Sequence, residues 1–273
     1  MKRFALLLLQ TYMKILSYVS PERASQKAQK LFFTPRKHTS KVWELDALAT
    51  AKNVMLDDNI QCSIWGNENE KSILLMHGWE GRASQMAVFL PLLAQKYKLI
   101  AVNAPAHGDS SGKMSHPGKF VEAIFTAQEK FGPFYAIIGH SMGGGCAVYS
   151  AMETLNVQKV ISIAGPSNFE FVVKSFAQFI GLRGKALSIF MANTEADVQL
   201  PFSKVNLANR VSTFDKPLLI IHDENDLEIP FAESQKYQAN INNGEFFATQ
   251  GLGHRKIMQS EQVLQKVADF LES

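Results

Sequence analysis

The chain has 273 residues, 46% hydrophobic content, 19% charged residues and a formal net charge of only +3. That is enough apolar sequence to bury one large core, and α/β folds of this length are routinely single domains. The lysines are scattered, which argues against an electrostatic footprint for nucleic acid; the two cysteines, Cys62 and Cys146, are too few for a disulfide scaffold and read as reduced packing residues.

The first segment, Met1-Lys2-Arg3 followed by Phe4-Ala5-Leu6-Leu7-Leu8-Leu9, imitates the start of a signal peptide. Its apolar run breaks at Gln10-Thr11 and Lys14, no small-x-small cleavage pattern follows, and it is too short to span a bilayer. An amphipathic pattern continues through Tyr12, Ile15, Leu16 and Val19 to Pro21, and a second helical piece, Ala24–Phe33, precedes Thr34-Pro35. The expectation is a helical arm over residues 1–41, packed on the domain of a cytoplasmic protein. Peripheral membrane contact through residues 1–20 and an atypical signal stay open as alternatives.

Strands and helices then alternate as in a parallel sheet. Trp43–Met55 and Ile60–Trp65 read as an opening antiparallel pair, Ile73–Met76 as a buried strand, and Ser84–Lys96 as a helix. Leu99–Val102 and the helix Phe120–Phe131 follow. The run Tyr135-Ala136-Ile137-Ile138 then leads into Gly139-His140-Ser141-Met142-Gly143. A Gly-x-Ser-x-Gly between a strand and a helix is a nucleophile elbow, a turn so sharp that the positions two residues either side of the serine must lack side chains. After the helix through Met152 and the strand Val160–Ile163, residues 168 to about 214 show mixed helical spacings and no strand-like run. Four phenylalanines there, Phe169, Phe171, Phe176 and Phe179, either line an acyl-binding pocket or form the insertion's own core.

Two further strands carry the partners of the elbow. Leu218–Ile221 runs into His222-Asp223-Glu224-Asn225-Asp226, ahead of Pro230, and Gly244–Thr249 runs into Gly251-Leu252-Gly253-His254. Ser, then Asp, then His is the chain order that accompanies this elbow. A serine hydroxyl is a poor nucleophile until an imidazole takes its proton and a carboxylate fixes the imidazole's tautomer. Asp226 is the favoured acid over Asp223, Glu224 and Glu170, while His77, His107, His140 and His222 read as scaffold or loop-fixing residues. No His-Glu-x-x-His spacing and no dinucleotide fingerprint is present, so neither a metal nor a cofactor is expected.

From about residue 42 to the C-terminus the chain resembles the α/β-hydrolase family. Trp65-Gly66, Met76-His77-Gly78-Trp79, Ala104–Ser110, Gly139–Gly143, His222–Pro230 and Gly251–His254 stand in the family's order. The stretches His77–Arg82, His107–Gly112 and Gly251–Arg255 resemble a poorly characterised bacterial subgroup. The resemblance implies an α/β-hydrolase fold: a mostly parallel central sheet flanked by helices, in a domain over residues 42–273 with a helical cap insertion at about 168–214. It implies oxyanion donation by the backbone N–H groups of Trp79 and Met142. It also implies a serine hydrolase acting on a small-molecule acyl substrate, a carboxylic ester or thioester, through an acyl-enzyme with Ser141, Asp226 and His254 as catalytic residues.

Acyltransferase and lactonase chemistry use the same triad and stay open, as does a non-catalytic ligand sensor on the same scaffold. The serine argues against those branches that place an aspartate at the elbow. Two departures from the family pattern, His222-Asp223 where His-Gly is usual and Asn103 where an aspartate is common, touch no catalytic position.

Overall fold

A computed structural model describes residues 2–273; Met1, part of the signal-like start, lies outside them. In chain order the elements are α1 (Lys2–Val19), α2 (Pro21–Phe33), α3 (Val42–Ala49), β1 (Lys52–Met55), β2 (Gln61–Trp65) and β3 (Ser72–Met76). A 3-10 turn, Ala83–Phe89, leads into α4 (Leu90–Leu93), then β4 (Lys98–Val102), α5 (Pro117–Phe131), β5 (Phe134–His140), α6 (Met142–Met152) and β6 (Val157–Ile163). The remainder is α7 (Phe169–Phe179), α8 (Gly184–Val198), β7 (Leu218–Asp223), α9 (Phe231–Gln238), β8 (Gly244–Thr249), α10 (Gly253–Lys256) and α11 (Glu261–Glu272).

The eight strands form one sheet in the order β1-β2-β4-β3-β5-β6-β7-β8. Only β1 with β2 and β2 with β4 pair antiparallel; every other pair is parallel. The central strands are buried on both faces, which is why Ser72–Met76 and Leu218–Asp223 read as apolar runs rather than alternations. One face, with Leu75, Ile138, Ile161 and Leu219, meets Phe89, Leu93, Val267 and Leu271. The other faces α5, α6 and α9. From β3 the chain goes to β4 on one side and then to β5 on the other. Such a reversal opens a crevice beyond the C-terminal ends of the strands, here β3 and β5.

Two elements differ from the sequence expectation. Residues 42–49 are helical, and the first strand begins only at Lys52. Trp43, Ala47 and Leu48 pack on the core at helical spacing, and Glu44 at the third helical position accepts from the Lys41 N–H, so a capped helix wins over an extended pair. The helix expected over Ser84–Lys96 is a 3-10 segment followed by one α-turn. Pro91 has no N–H with which to continue an α-helix through this point.

The chain divides into two compact units. The body comprises Pro35–Ser167 and Leu207–Ser273 and holds the whole sheet. The other unit joins the N-terminal segment through Thr34 to the insertion Asn168–Asn206. The boundaries drawn from sequence, an arm to residue 41 and an insertion to about 214, therefore shift to Thr34 and Asn206. The reason is aromatic packing: Phe32 of the arm lies 4.8 Å from Phe176, 5.9 Å from Phe190 and 6.3 Å from Phe169, ring centroid to centroid. Phe169 and Phe176 thus serve this unit's own core, whereas Phe179 is exposed.

Candidate active site

Ser141 stands between β5 and α6 with φ +54° and ψ −123°, a conformation that non-glycine residues rarely adopt. The elbow requires its two flanking glycines. A Cβ on Gly139 would come within 2.2 Å of the Gly143 carbonyl oxygen, and one on Gly143 within 2.3 Å of the His77 carbonyl oxygen. The Ser141 N–H is bonded to the Ile163 carbonyl at 2.8 Å, which fixes the turn against β6.

His254 Nε2 lies 2.8 Å from Ser141 Oγ, and His254 Nδ1 lies 2.7 Å from Asp226 Oδ2. These contacts define the tautomer: Nδ1–H donates to the carboxylate, which leaves Nε2 to accept the serine proton. Asp226 is buried and fully engaged. Its Oδ1 accepts from the N–H groups of Glu228 (2.8 Å) and Ile229 (2.9 Å), and His222 Nε2 approaches Oδ2 at 3.2 Å. Burial alone would raise the Asp226 carboxyl; the bonds from His222, His254 and the Ile229 N–H outweigh it and hold the group below the usual carboxylate range.

The structure separates the candidate acids. Asp223, three residues earlier, points to different partners: the N–H groups of Asn225, Leu252 and Gly253 and the hydroxyl of Thr249, all at 2.8–3.0 Å. It ties the end of β7 to the loop that carries His254, which is what an aspartate does where a glycine is usual. Glu224 is exposed, and Glu170 lies in the first turn of α7, whose N-terminus Asn168 caps. The role of His222 in contacting Asp226 was not legible in the sequence. Its position at the end of β7, four residues before the acid, was the available signal.

The two proposed oxyanion donors border the same crevice. Met142 is the first residue of α6, so its N–H has no intrahelical acceptor. Trp79 is the second residue of a turn closed by Gly81 N–H to the Gly78 carbonyl at 3.0 Å. The turn lies directly against the nucleophile, since a Cβ on Gly78 would approach Ser141 Cβ to 2.8 Å.

Glu80, at the third position, has φ +57°, where a type II turn normally takes glycine. Its N–H donates to His107 Nε2 at 3.1 Å and its carboxylate receives Arg36 at 2.8 and 2.9 Å, so the surroundings hold a conformation that costs on the order of 1–3 kcal/mol. His77 works similarly, donating from Nδ1 to the Gly78 carbonyl (2.7 Å) and accepting the Ala104 N–H on Nε2 (3.1 Å). Asn103 accepts the Ala83 N–H at 2.7 Å and donates to Gln61, a pairing for which an aspartate lacks the donor.

His140 donates from Nε2 to the His254 carbonyl at 2.9 Å, linking the elbow to the histidine loop. Burial pushes His140 down to about 3 and His107 to about 4, and drives His77 well below the ordinary imidazole value, so all three are neutral. Cys62 and Cys146 are buried free thiols, raised by burial and unsuited to nucleophilic work. A cleft of about 310 Å³ lies behind the Trp79 turn, lined among others by Arg36, His38, Glu80, Arg82 and His107; none of Ser141, Asp226 or His254 lines it.

A family described as "alpha/beta hydrolase fold" matches residues 71–181, and the strand order and elbow agree with it: the chain has the α/β-hydrolase fold. It is similar to a "Serine hydrolase-like protein" of Danio rerio, 28% identical over 110 residues that make up 36% of this chain and 32% of the relative. A "Probable serine hydrolase" of Drosophila melanogaster is 26% identical over 141 residues, 48% of this chain and 41% of that one. The chain thus spans about a third to two-fifths of the length of these curated relatives. Among solved structures, an esterase of Pyrococcus furiosus shares the fold with a TM-score of 0.64 at 20% identity, covering 88% of this chain and 98% of its own.

Proposed function

We propose that the chain is a serine hydrolase that cleaves a carboxylic ester or thioester through an acyl-enzyme on Ser141. The observation that carries this reading is the unbroken hydrogen-bond chain from Ser141 Oγ through His254 to a carboxylate already ionised and saturated with donors. Ser141 Oγ attacks the acyl carbon while His254 Nε2 takes its proton, and Asp226 stabilises the imidazolium that forms. The carbonyl oxygen becomes an oxyanion held by the N–H groups of Trp79 and Met142, each worth about 10²–10³ in turnover by analogy with other such donors. The imidazolium protonates the departing alcohol or thiol. Water then attacks the acyl-enzyme with His254 again as base, and Ser141 is regenerated.

The test is labelling with a fluorophosphonate probe followed by turnover of p-nitrophenyl ester and acyl-thioester panels. Labelling at Ser141 together with turnover is expected. Labelling without turnover of any ester, thioester or lactone would overturn the hydrolase reading in favour of a ligand sensor.

A further inference from the structure

Helix α1 is apolar on two sides. Toward its own unit it presents Met13, fully buried, with Leu6, Leu9 and Leu16 partly buried. Bonds from Gln10 to the Phe179 carbonyl (2.7 Å) and from the Arg183 N–H to Ser17 Oγ (3.2 Å) hold this side in place. On the other side Phe4, Leu7, Leu8, Ile15, Tyr18 and Val19 are 56–76% exposed. At 3.6 residues per turn these positions fill one continuous arc of about 120°. A helix that is apolar all round belongs in a core or against lipid, and a contiguous exposed face of this kind marks an interaction site.

Charge identifies the occupant. Residues 1–34 and 168–206 carry ten Lys/Arg against four Asp/Glu, whereas the rest of the chain carries eighteen against twenty-one. Helix α1 contains no acidic residue. On α2, Arg23, Lys27 and Lys30 recur at four- and three-residue intervals, all exposed and on one side. Lys27 sets that row beside the apolar face, since its Nζ lies 3.3 Å from Tyr12 Oη and 5.0 Å from the Tyr12 ring centroid. A second copy of the chain on this face would bring two cationic rows together, whereas an anionic surface neutralises them.

We propose that α1 docks on an anionic phospholipid bilayer, its exposed arc at the acyl boundary and the Lys27 row among the headgroup phosphates. The helix lies along the surface. Eighteen residues rise about 27 Å, short of a hydrocarbon core of about 30 Å, and exposed Lys14 stands at the rim of the arc. Among the described residues, no helix is long and apolar enough to cross a membrane. This docking does not depend on the proposed catalysis.

The test is co-sedimentation of the full chain carrying Ser141→Ala, so that lipid turnover does not enter, with vesicles of phosphatidylcholine alone or with about 30% phosphatidylglycerol. Binding to the anionic vesicles is expected, falling at high salt. Leu8→Glu and Ile15→Glu should each weaken it at least tenfold with the circular-dichroism spectrum and melting temperature unchanged, because both side chains are exposed. Lys27→Gln and Lys30→Gln should each weaken it about fivefold and reduce the anionic preference. The proposal is overturned if the parent chain stays in the supernatant at every lipid concentration, or if the glutamate variants bind as well as it does. It is also overturned if sedimentation shows a dimer that Leu8→Glu dissociates while vesicles go unbound, which would assign the face to a second copy.

Discussion

In the body, the groups around Ser141 are held by bonds to the backbone; in the unit of arm and insertion, shape comes from rings packed on rings. Asp226, Asp223, His77, His107 and His140 all exchange hydrogen bonds with main-chain N–H or carbonyl groups, most of them in loops after the sheet strands. The arm–insertion unit instead gathers Phe32, Phe169, Phe176 and Phe190 around one centre. Directional bonds fix atoms to a few tenths of an ångström, which proton transfer needs. Ring packing holds a unit together without dictating the position of any single atom. The difference predicts that substitutions in the two regions fail in different ways.

The largest effect belongs to Ser141→Ala. Probe labelling should vanish and kcat/KM should fall roughly 10⁴–10⁶-fold, with the melting temperature nearly unchanged, because only a hydroxyl is removed. Asp226→Asn should follow at about 10⁴-fold, since the amide stabilises the wrong tautomer of His254. Asp223→Ala sharpens the contrast within one loop. It leaves the N–H groups of Leu252 and Gly253 and the Thr249 hydroxyl without their acceptor, and should cost about 2–5 kcal/mol in denaturant unfolding. Equal kinetic losses for Asp226→Asn and Asp223→Asn would refute the division of labour drawn between them.

On the other side of the comparison, Phe190→Ala removes a fully buried ring and should cost about 3–5 kcal/mol of stability. Hydrolysis of a small soluble ester, measured well below the melting temperature, should change less than twofold in kcat. A kcat loss as large as that of an oxyanion variant would mean that the arm–insertion unit also positions reacting groups.

The same contrast explains what was legible in the sequence. The elbow, the acid and the histidine could be read because each stands in a short stretch where backbone geometry restricts the residue type: glycines around Ser141, a strand end before Asp226, and Gly251 and Gly253, both at positive φ, before His254. The parallel pairing of the sheet's centre followed from the alternation of apolar runs with helices, whereas the strand order did not. Residues 42–49 were misassigned because so short a stretch carries little periodicity, and the bond that anchors the capping Glu44 comes from Arg82, far away in sequence. The joining of arm and insertion was hidden for a related reason. It rests on rings separated by more than a hundred residues, for which no local pattern exists. The His222–Asp226 contact depends on how the loop after β7 folds back on the strand's end, which spacing does not specify.

The smallest expected effect per residue, and the one that reads the body's hydrogen-bonded scaffold most directly, is acid sensitivity. His77, His107 and His140 are buried and neutral, with folded-state values depressed below the ordinary imidazole value; burial is the main cause for each. Neighbouring charge acts in both directions: Glu80 opposes the shift at His107, and His254 reinforces it at His140. Depressed folded values mean that the unfolded chain takes up protons first. The stability present above pH ~6.5 is therefore lost as the pH falls toward about 4 for His107 and about 3 for His140. His107 and His140 each contribute a slope of up to about 1.4 kcal/mol per pH unit between about pH 6 and 5, and His77 acts in the same direction. Asp226 has the same sign but acts lower, because its stabilisation is lost only as the pH drops below the ordinary carboxylate range. Urea unfolding at pH 7, 6 and 5 measures the slope. His107→Gln, which retains a donor and an acceptor but does not titrate, should reduce it, whereas Phe190→Ala should lower stability by the same amount at every pH. A wild-type profile that is flat from pH 7 to 5 would show that these histidines are not held neutral, and with that the tautomers assigned to the Trp79 turn would fall.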